Sequence, residues 1–195
     1  IWNGTFRTQG MTSLNAMKNT NAYTVLDYNR ADKSFVIDLY DFATLEKTKN
    51  ILNTKNFSEL TEISEYSFNN DETKLLIATN SKPIYRHSFT SLFYTYDLNT
   101  NKLIKVSDNE IQEPQFNYDG SKVAYVYDNN IFVNDINLNK TIQITNDGVK
   151  NKIINGITDW VYEEEFAFVR AYDWNADGTK IAYIKFDEAE VPEFS

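Results

Sequence analysis

The chain of 195 residues contains no cysteine, which excludes a disulfide, a thiol nucleophile and a thiolate metal site. Histidine is almost absent too, because His87 is the only one. A serine–histidine–acid triad would depend on that residue, and no serine stands in the Gly-x-Ser-x-Gly setting of a nucleophile turn. Metal-binding Asp-x-Asp clusters and phosphate-binding glycine loops are missing as well. We therefore expect no catalytic machinery, no metal and no cofactor in this chain.

Positive charge is scarce. Lysine and arginine number 19 against 28 acidic residues, which gives a net charge of -9. This balance argues against nucleic acid and anionic membrane as partners. No apolar run approaches the roughly 18 residues that span a bilayer. A hydrophobic fraction of 42%, with 13 tyrosines and 13 phenylalanines, indicates instead a globular protein rich in strands.

An internal repeat covers much of the chain. Each copy reads aromatic residue, Asn, any residue, Asp, Gly or Glu, Ser or Thr, Lys, and then an apolar run. The Asp-Gly pair is expected to supply the positive φ angles of a tight hairpin turn. The predicted turns lie at Asp71-Glu72, Asp119-Gly120 and Asp177-Gly178, and a weaker copy runs from Leu26 to Ile37.

The copies lie roughly 50 residues apart, with further predicted strands between them, which is typical of four-stranded β-propeller blades. The sequence therefore predicts an all-β fold, a partial β-propeller of about three to four four-stranded blades. A propeller closes its ring, so we interpret the chain as the first part of a longer propeller. A small four-bladed propeller or an open β-meander is the alternative. Short helices are expected from Met11 to Met17 and at a run of glutamates.

That run is Glu163, Glu164 and Glu165, which follows the aromatic stretch from Trp160 to Tyr162. Neighbouring like charges repel, so a protein or ligand cation is expected beside them. A primary ammonium offers three N–H donors and suits charged acceptors. The aromatic residues are expected to anchor the short helix that carries them. The alternative is a solvated surface face.

Arg86, in the stretch Arg-His-Ser, is the second candidate. Its guanidinium can donate two hydrogen bonds to a carbonyl or carboxylate and can neutralise one of the glutamates. An ordinary arginine at a strand end, in a surface ion pair of little value, is the alternative. His87 is assigned no chemistry.

The stretches Asp-Trp-Val-Tyr-Glu-Glu-Glu and Arg-His-Ser closely resemble the dipeptidyl peptidase IV family of the prolyl oligopeptidase clan. The resemblance runs from the start Ile-Trp-Asn-Gly-Thr-Phe-Arg to the stretch that ends at Pro192. It implies an N-terminal eight-bladed propeller, a C-terminal α/β-hydrolase domain with a Ser–Asp–His triad, and release of N-terminal dipeptides with Pro or Ala second. On this resemblance, residues 1–195 are the N-terminal part of the propeller, and the later blades and the hydrolase domain lie outside the chain.

The resemblance also implies roles for single residues. Glu164 and Glu165 would bind the α-ammonium of a peptide, and Arg86 would bind the carbonyl of its second residue. Glu163 is expected to turn away, solvated or structural, so that its change to Gln is near neutral. The implied partners are peptides with a free N-terminus, the remaining propeller and hydrolase domain, and a second copy in a homodimer. By analogy the enzyme would be bacterial and lie in the periplasm or on the cell surface. A tripeptidyl enzyme and a non-catalytic peptide- or protein-binding propeller stay open as alternatives.

Overall fold

The computed structural model describes residues 13–192. These residues form sixteen strands, a single turn of 3-10 helix and one short α-helix. Every pairing between the described strands is antiparallel. The chain divides into two compact units, Ile1–Glu62 and Ile63–Ser195. No helix in the described range is long and apolar enough to cross a bilayer.

The first unit contains one four-stranded sheet with its strands in chain order. Its elements are β1 (Leu14–Ala16), β2 (Ala22–Asn29), β3 (Ser34–Asp41), β4 (Lys47–Asn53) and the 3-10 turn Thr54–Asn56. The weaker repeat copy forms the turn between β2 and β3, where the Asn29 side chain accepts hydrogen bonds from the backbone N–H groups of Ala31 and Asp32. The predicted hairpin is therefore present.

The helix expected from Met11 to Met17 is wrong within the described residues. Leu14–Ala16 is instead an edge strand that pairs with Tyr23, Thr24 and Val25 of β2. A helix this short is marginal in water, whereas the edge of a sheet offers the segment backbone hydrogen-bond partners at once. Met11 itself lies outside the described residues.

The second unit contains two further four-stranded sheets, again in chain order. One consists of β5 (Glu65–Phe68), β6 (Lys74–Pro83), β7 (Phe89–Asp97) and β8 (Lys102–Lys105). The next consists of β9 (Gln112–Phe116), β10 (Lys122–Tyr127), β11 (Asn130–Asp135) and β12 (Lys140–Gln143). The last strands form two ladders, in which β13 (Ile153–Asn155) pairs with β16 (Lys185–Asp187) and β14 (Tyr172–Trp174) pairs with β15 (Ile181–Tyr183).

Strand β10 shows how these sheets pack. Val123 and Tyr125 belong to a hydrophobic cluster that includes Leu76 and Phe93 of the preceding sheet. Ala124 and Val126 point the other way, into a cluster with Tyr172 and other residues of the last strands. Alternate residues of a strand face opposite sides of its sheet, so this sheet is buried on both faces. Such face-to-face packing of successive sheets is the arrangement of propeller blades, and the all-β prediction is confirmed.

All three predicted turns of the second unit connect the first and second strands of a sheet or ladder. Only the second residue of each Asp-Gly or Asp-Glu pair has a positive φ: Glu72 at 58°, Gly120 at 67° and Gly178 at 67°. The hairpin turns predicted at these pairs are therefore present, and each pair supplies one residue of positive φ. A type I turn followed by one left-handed residue accounts for this geometry. The Asn of each copy stabilises the turn through its side chain, as Asn117 does by accepting a hydrogen bond from the Lys122 N–H at 2.9 Å.

Candidate functional site

The predicted helix at the glutamate run is present as α1, Trp160–Phe166. The carboxylate of Asp159 caps its N-terminus by accepting a hydrogen bond from the Tyr162 N–H at 2.8 Å. Ala167 ends it in the left-handed conformation, with φ 53°. Seven residues do not make a stable helix by themselves. Tertiary contacts must therefore hold α1 in place.

The aromatic residues supply less of that anchoring than the sequence predicts. Trp160 is 55% exposed and Phe166 is 67% exposed. Tyr162 is itself partly exposed, although its ring lies against Phe186 with a centroid separation of 5.2 Å. The expectation that the whole aromatic stretch anchors the helix is therefore wrong, because most of it faces outward.

Glu163 is the anchor that the sequence did not reveal. Its side chain is buried, at 2% exposure. One carboxylate oxygen, Oε1, accepts hydrogen bonds from the backbone N–H groups of His87 and Ser88, both at 2.8 Å. Burial by itself would raise the pKa of Glu163, but hydrogen bonds from Ser88 and His87 outweigh it and lower the pKa below its usual value. Glu163 is thus ionised at neutral pH and is not part of a solvated face.

The turn that receives Glu163 lies between β6 and β7. Within it, the N–H of Ile84 donates to the Ser88 carbonyl at 2.8 Å. Arg86 stands near the tip of this turn, and its Nη2 lies 3.3 Å from Oε2 of Glu164. The Arg86 side chain is 70% exposed, whereas that of Glu164 is only 17% exposed. We call Arg86 and residues 163–165 the Glu–Arg site.

Glu165 is exposed beside this pair, and no ion pair within residues 13–192 involves it. The structure therefore brings Arg86 and Glu164 into contact and leaves the carboxylate of Glu165 open to solvent next to them. A cavity of about 410 Å³ lies alongside, lined in part by Tyr85, Ser88, Trp160 and Glu163. The arrangement offers carboxylate acceptors and guanidinium donors within one small area, as an amine with a nearby carbonyl requires.

A second charged group lies nearby, without any motif that marked it in the sequence. Arg170 Nη1 is 4.0 Å from Oε2 of Glu113. Burial raises the pKa of Glu113, Arg170 offsets this in part, and the charges of Glu65 and Glu163 raise it further. Together with Glu65, the pair lines a smaller cavity of about 200 Å³. Glu113 also has a positive φ of 50°, which is uncommon for a residue other than glycine.

Successive four-stranded sheets with an acidic helix before the last ladder define a β-propeller fragment with a side chain cluster suited to an amine. The family model described as Dipeptidyl peptidase IV (DPP IV) N-terminal region matches residues 69–195. The chain belongs to this family, as its sequence predicted.

Relatives and a solved structure agree with that assignment. The chain is 32% identical over 170 residues to Prolyl endopeptidase FAP of Homo sapiens, a match that covers 85% of this chain and 22% of that protein. It is 40% identical over 146 residues to Dipeptidyl peptidase 4 of Sus scrofa, with 72% of this chain and 19% of that protein covered. The crystal structure of Porphyromonas gingivalis dipeptidyl peptidase 4 matches with a TM-score of 0.87 and 32% identity, over 100% of this chain and 28% of that one. The chain thus spans less than a third of the length of each of these proteins.

Proposed function

We propose that this chain is the N-terminal part of the propeller of a serine dipeptidyl aminopeptidase, where it binds the free N-terminus of peptides with Pro or Ala in second position. The observation that carries the proposal is the meeting of Arg86 and Glu164 at 3.3 Å on two segments far apart in sequence, with Glu165 exposed beside them. Family membership and the dipeptidyl peptidase activity named for its relatives support the reaction class.

In this proposal, the carboxylates of Glu164 and Glu165 accept hydrogen bonds from the substrate α-ammonium. Arg86 donates to the carbonyl of the second residue, and its exposed guanidinium keeps donors free for this contact. Binding the terminus at a fixed distance from a serine in the hydrolase domain would select cleavage after two residues. Remote binding energy then serves the chemical step by orienting the scissile bond.

The serine, its base and its acid would lie in the later hydrolase domain, so we expect residues 1–195 alone to be inactive. The partners proposed for the intact protein are the remaining blades, that hydrolase domain and a second copy in a homodimer. The periplasm or the cell surface of a bacterium is the proposed location.

Kinetics of the full-length protein on a Gly-Pro chromogenic amide test the proposal. A charge-assisted hydrogen bond contributes about 1.5–3 kcal/mol, so Glu164→Gln and Glu165→Gln should each lower kcat/KM by about ten- to a hundredfold. The exposed Glu190→Gln is the matched control and should leave kcat/KM unchanged. An N-acetylated substrate, which lacks the ammonium, should be cleaved poorly.

Other results would select another function. Release of tripeptides from a proline-containing peptide would favour a tripeptidyl enzyme, with the Glu–Arg site one residue further from the serine. Peptide binding without hydrolysis would favour a non-catalytic propeller. Full activity in both Gln variants would contradict binding of the substrate ammonium at the Glu–Arg site.

A further inference from the structure

The contact between Glu163 and the turn at residues 84–88 joins the two segments that carry the Glu–Arg site. Neither segment is strongly held by itself. The helix α1 has only seven residues, and residues 84–87 of the turn are all exposed. Since each is marginal alone, their relative placement depends on what connects them.

Two direct connections are present. The Arg86–Glu164 ion pair is largely exposed on the arginine side, and such pairs contribute little to stability. The other is the buried carboxylate of Glu163, which accepts two backbone hydrogen bonds at 2.8 Å each. Charge-assisted bonds in a buried setting are the stronger kind. Glu163 is therefore the main link between α1 and the turn.

We propose that Glu163 is a positioning residue, which holds Arg86 at the distance from Glu164 and Glu165 that a peptide N-terminus requires. The inference rests on the proposed function. It assigns the three glutamates two different tasks: Glu164 and Glu165 meet the ligand, and Glu163 acts through the backbone of His87 and Ser88 on the neighbouring arginine. The expectation that Glu163→Gln is near neutral changes accordingly, because a buried residue with two charge-assisted bonds is not silent.

The test is a double-mutant cycle in the full-length protein, with Glu163→Gln, Arg86→Ala and the pair combined. The amide keeps the size of the side chain and an acceptor oxygen but loses the charge. We expect Glu163→Gln to lower kcat/KM about five- to tenfold, mainly through KM, and Arg86→Ala to lower it about tenfold. If Glu163 acts through Arg86, the double variant is no worse than Arg86→Ala alone, because coupled residues are not additive.

Reaction with a serine-directed phosphonate that carries no amine checks the hydrolase domain separately, and its rate should stay within twofold of wild type in all three variants. Multiplicative losses in the double variant, or a slower phosphonate reaction, would overturn the positioning role. A loss below twofold in Glu163→Gln would overturn it as well.

The result is separable from the proposed function. If Glu164→Gln and Glu165→Gln are costly while Glu163→Gln is silent, the proposed binding of the ammonium stands and the positioning role fails. If all three are silent, both fail. Glu190→Gln again serves as the exposed control.

Discussion

The repeated hairpin turns and the Glu–Arg site are stabilised over different distances along the chain. At the Asn117 turn, the side chain accepts from Lys122, and Asp119 accepts from the N–H of Ser121. In each of these two hydrogen bonds, donor and acceptor lie at most five residues apart in the sequence. The carboxylate of Glu163, in contrast, bonds to residues 75 and 76 positions away. The turns can therefore form from local sequence, whereas the site exists only after the sheets have packed.

One feature of the turns also depends on tertiary contacts. A Cβ added at Gly120 would lie 2.4 Å from Nδ2 of Asn69, in the turn of the preceding sheet. Gly178 stands in the same relation to Asn117, at 3.0 Å. Two constraints therefore favour glycine in these copies: the positive φ of the backbone and the lack of space for a Cβ beside the neighbouring turn. Glu72, at the equivalent place in its own copy, adopts φ 58° without being glycine.

The long-range contact should carry the largest effect on stability. Glu163→Ala leaves the N–H groups of His87 and Ser88 without their acceptor, and we expect a loss of about 2–4 kcal/mol in the free energy of unfolding. Asn117→Ala removes side-chain hydrogen bonds to Ser121 and Lys122, which are only four and five positions away, and should cost about 1–2 kcal/mol. Urea unfolding of the full-length variants measures both. Equal losses would show that the long-range contact of Glu163 stabilises the protein no more than the local contacts of Asn117 do.

The dual role of glycine is tested by Gly120→Ala. The new methyl group meets Asn69 and the backbone stays at φ 67°, so we expect a loss of about 1–3 kcal/mol. The matched change is Glu72→Gly, which relieves a positive φ and should be neutral or stabilising by up to about 1 kcal/mol. Thermal unfolding distinguishes them. A harmless Gly120→Ala would mean that the neighbouring turn yields easily.

Arg86→Ala separates function from stability within the site. The arginine side of the ion pair with Glu164 is largely exposed, so the loss of Arg86 should change the free energy of unfolding by less than about 1 kcal/mol. The same change should lower kcat/KM without altering where the substrate is cut. Mass spectrometry of the released peptides checks the cleavage position, and thermal unfolding checks the stability. A large drop in stability would show that Arg86 is structural.

The smallest effect is expected at Glu113. Burial raises its pKa in spite of Arg170, so the folded protein binds this proton more tightly than the unfolded chain does. The stability from this group is fully present below the usual glutamate pKa and is lost as the pH rises through the raised value. Gln at position 113 cannot ionise, so the Glu113→Gln variant does not lose this stability as the pH rises. Its melting temperature should exceed that of wild type slightly at pH 7 and equal it near pH 4, and a Gln variant that is less stable at pH 7 would contradict this account.

Much of the fold was open to prediction because its causes are local. Asn, Asp and Gly at fixed offsets specify each turn, and the apolar runs on either side specify the strands. The helix prediction from Met11 to Met17 was wrong because the structure of this segment depends on a tertiary contact. A short segment without strong caps adopts the structure its neighbours offer, and β2 offers an unpaired edge to Leu14–Ala16.

The sequence by itself indicated the class of fold, the place of a short helix at the glutamate run and the clustering of carboxylates there, because turn chemistry, hydrophobic period and charge are properties of short segments. Only the tertiary structure decided which of the three glutamates is buried, which contacts Arg86 and which stays exposed. Glu163 is buried where two backbone N–H groups of a turn distant in sequence donate hydrogen bonds to it. Every residue except proline has such an N–H group, so the amino-acid sequence does not show which ones a side chain will contact. Glu164 reaches Arg86 and Glu165 stays in solvent for the same reason: packing of the sheets sets which face of α1 meets the turn.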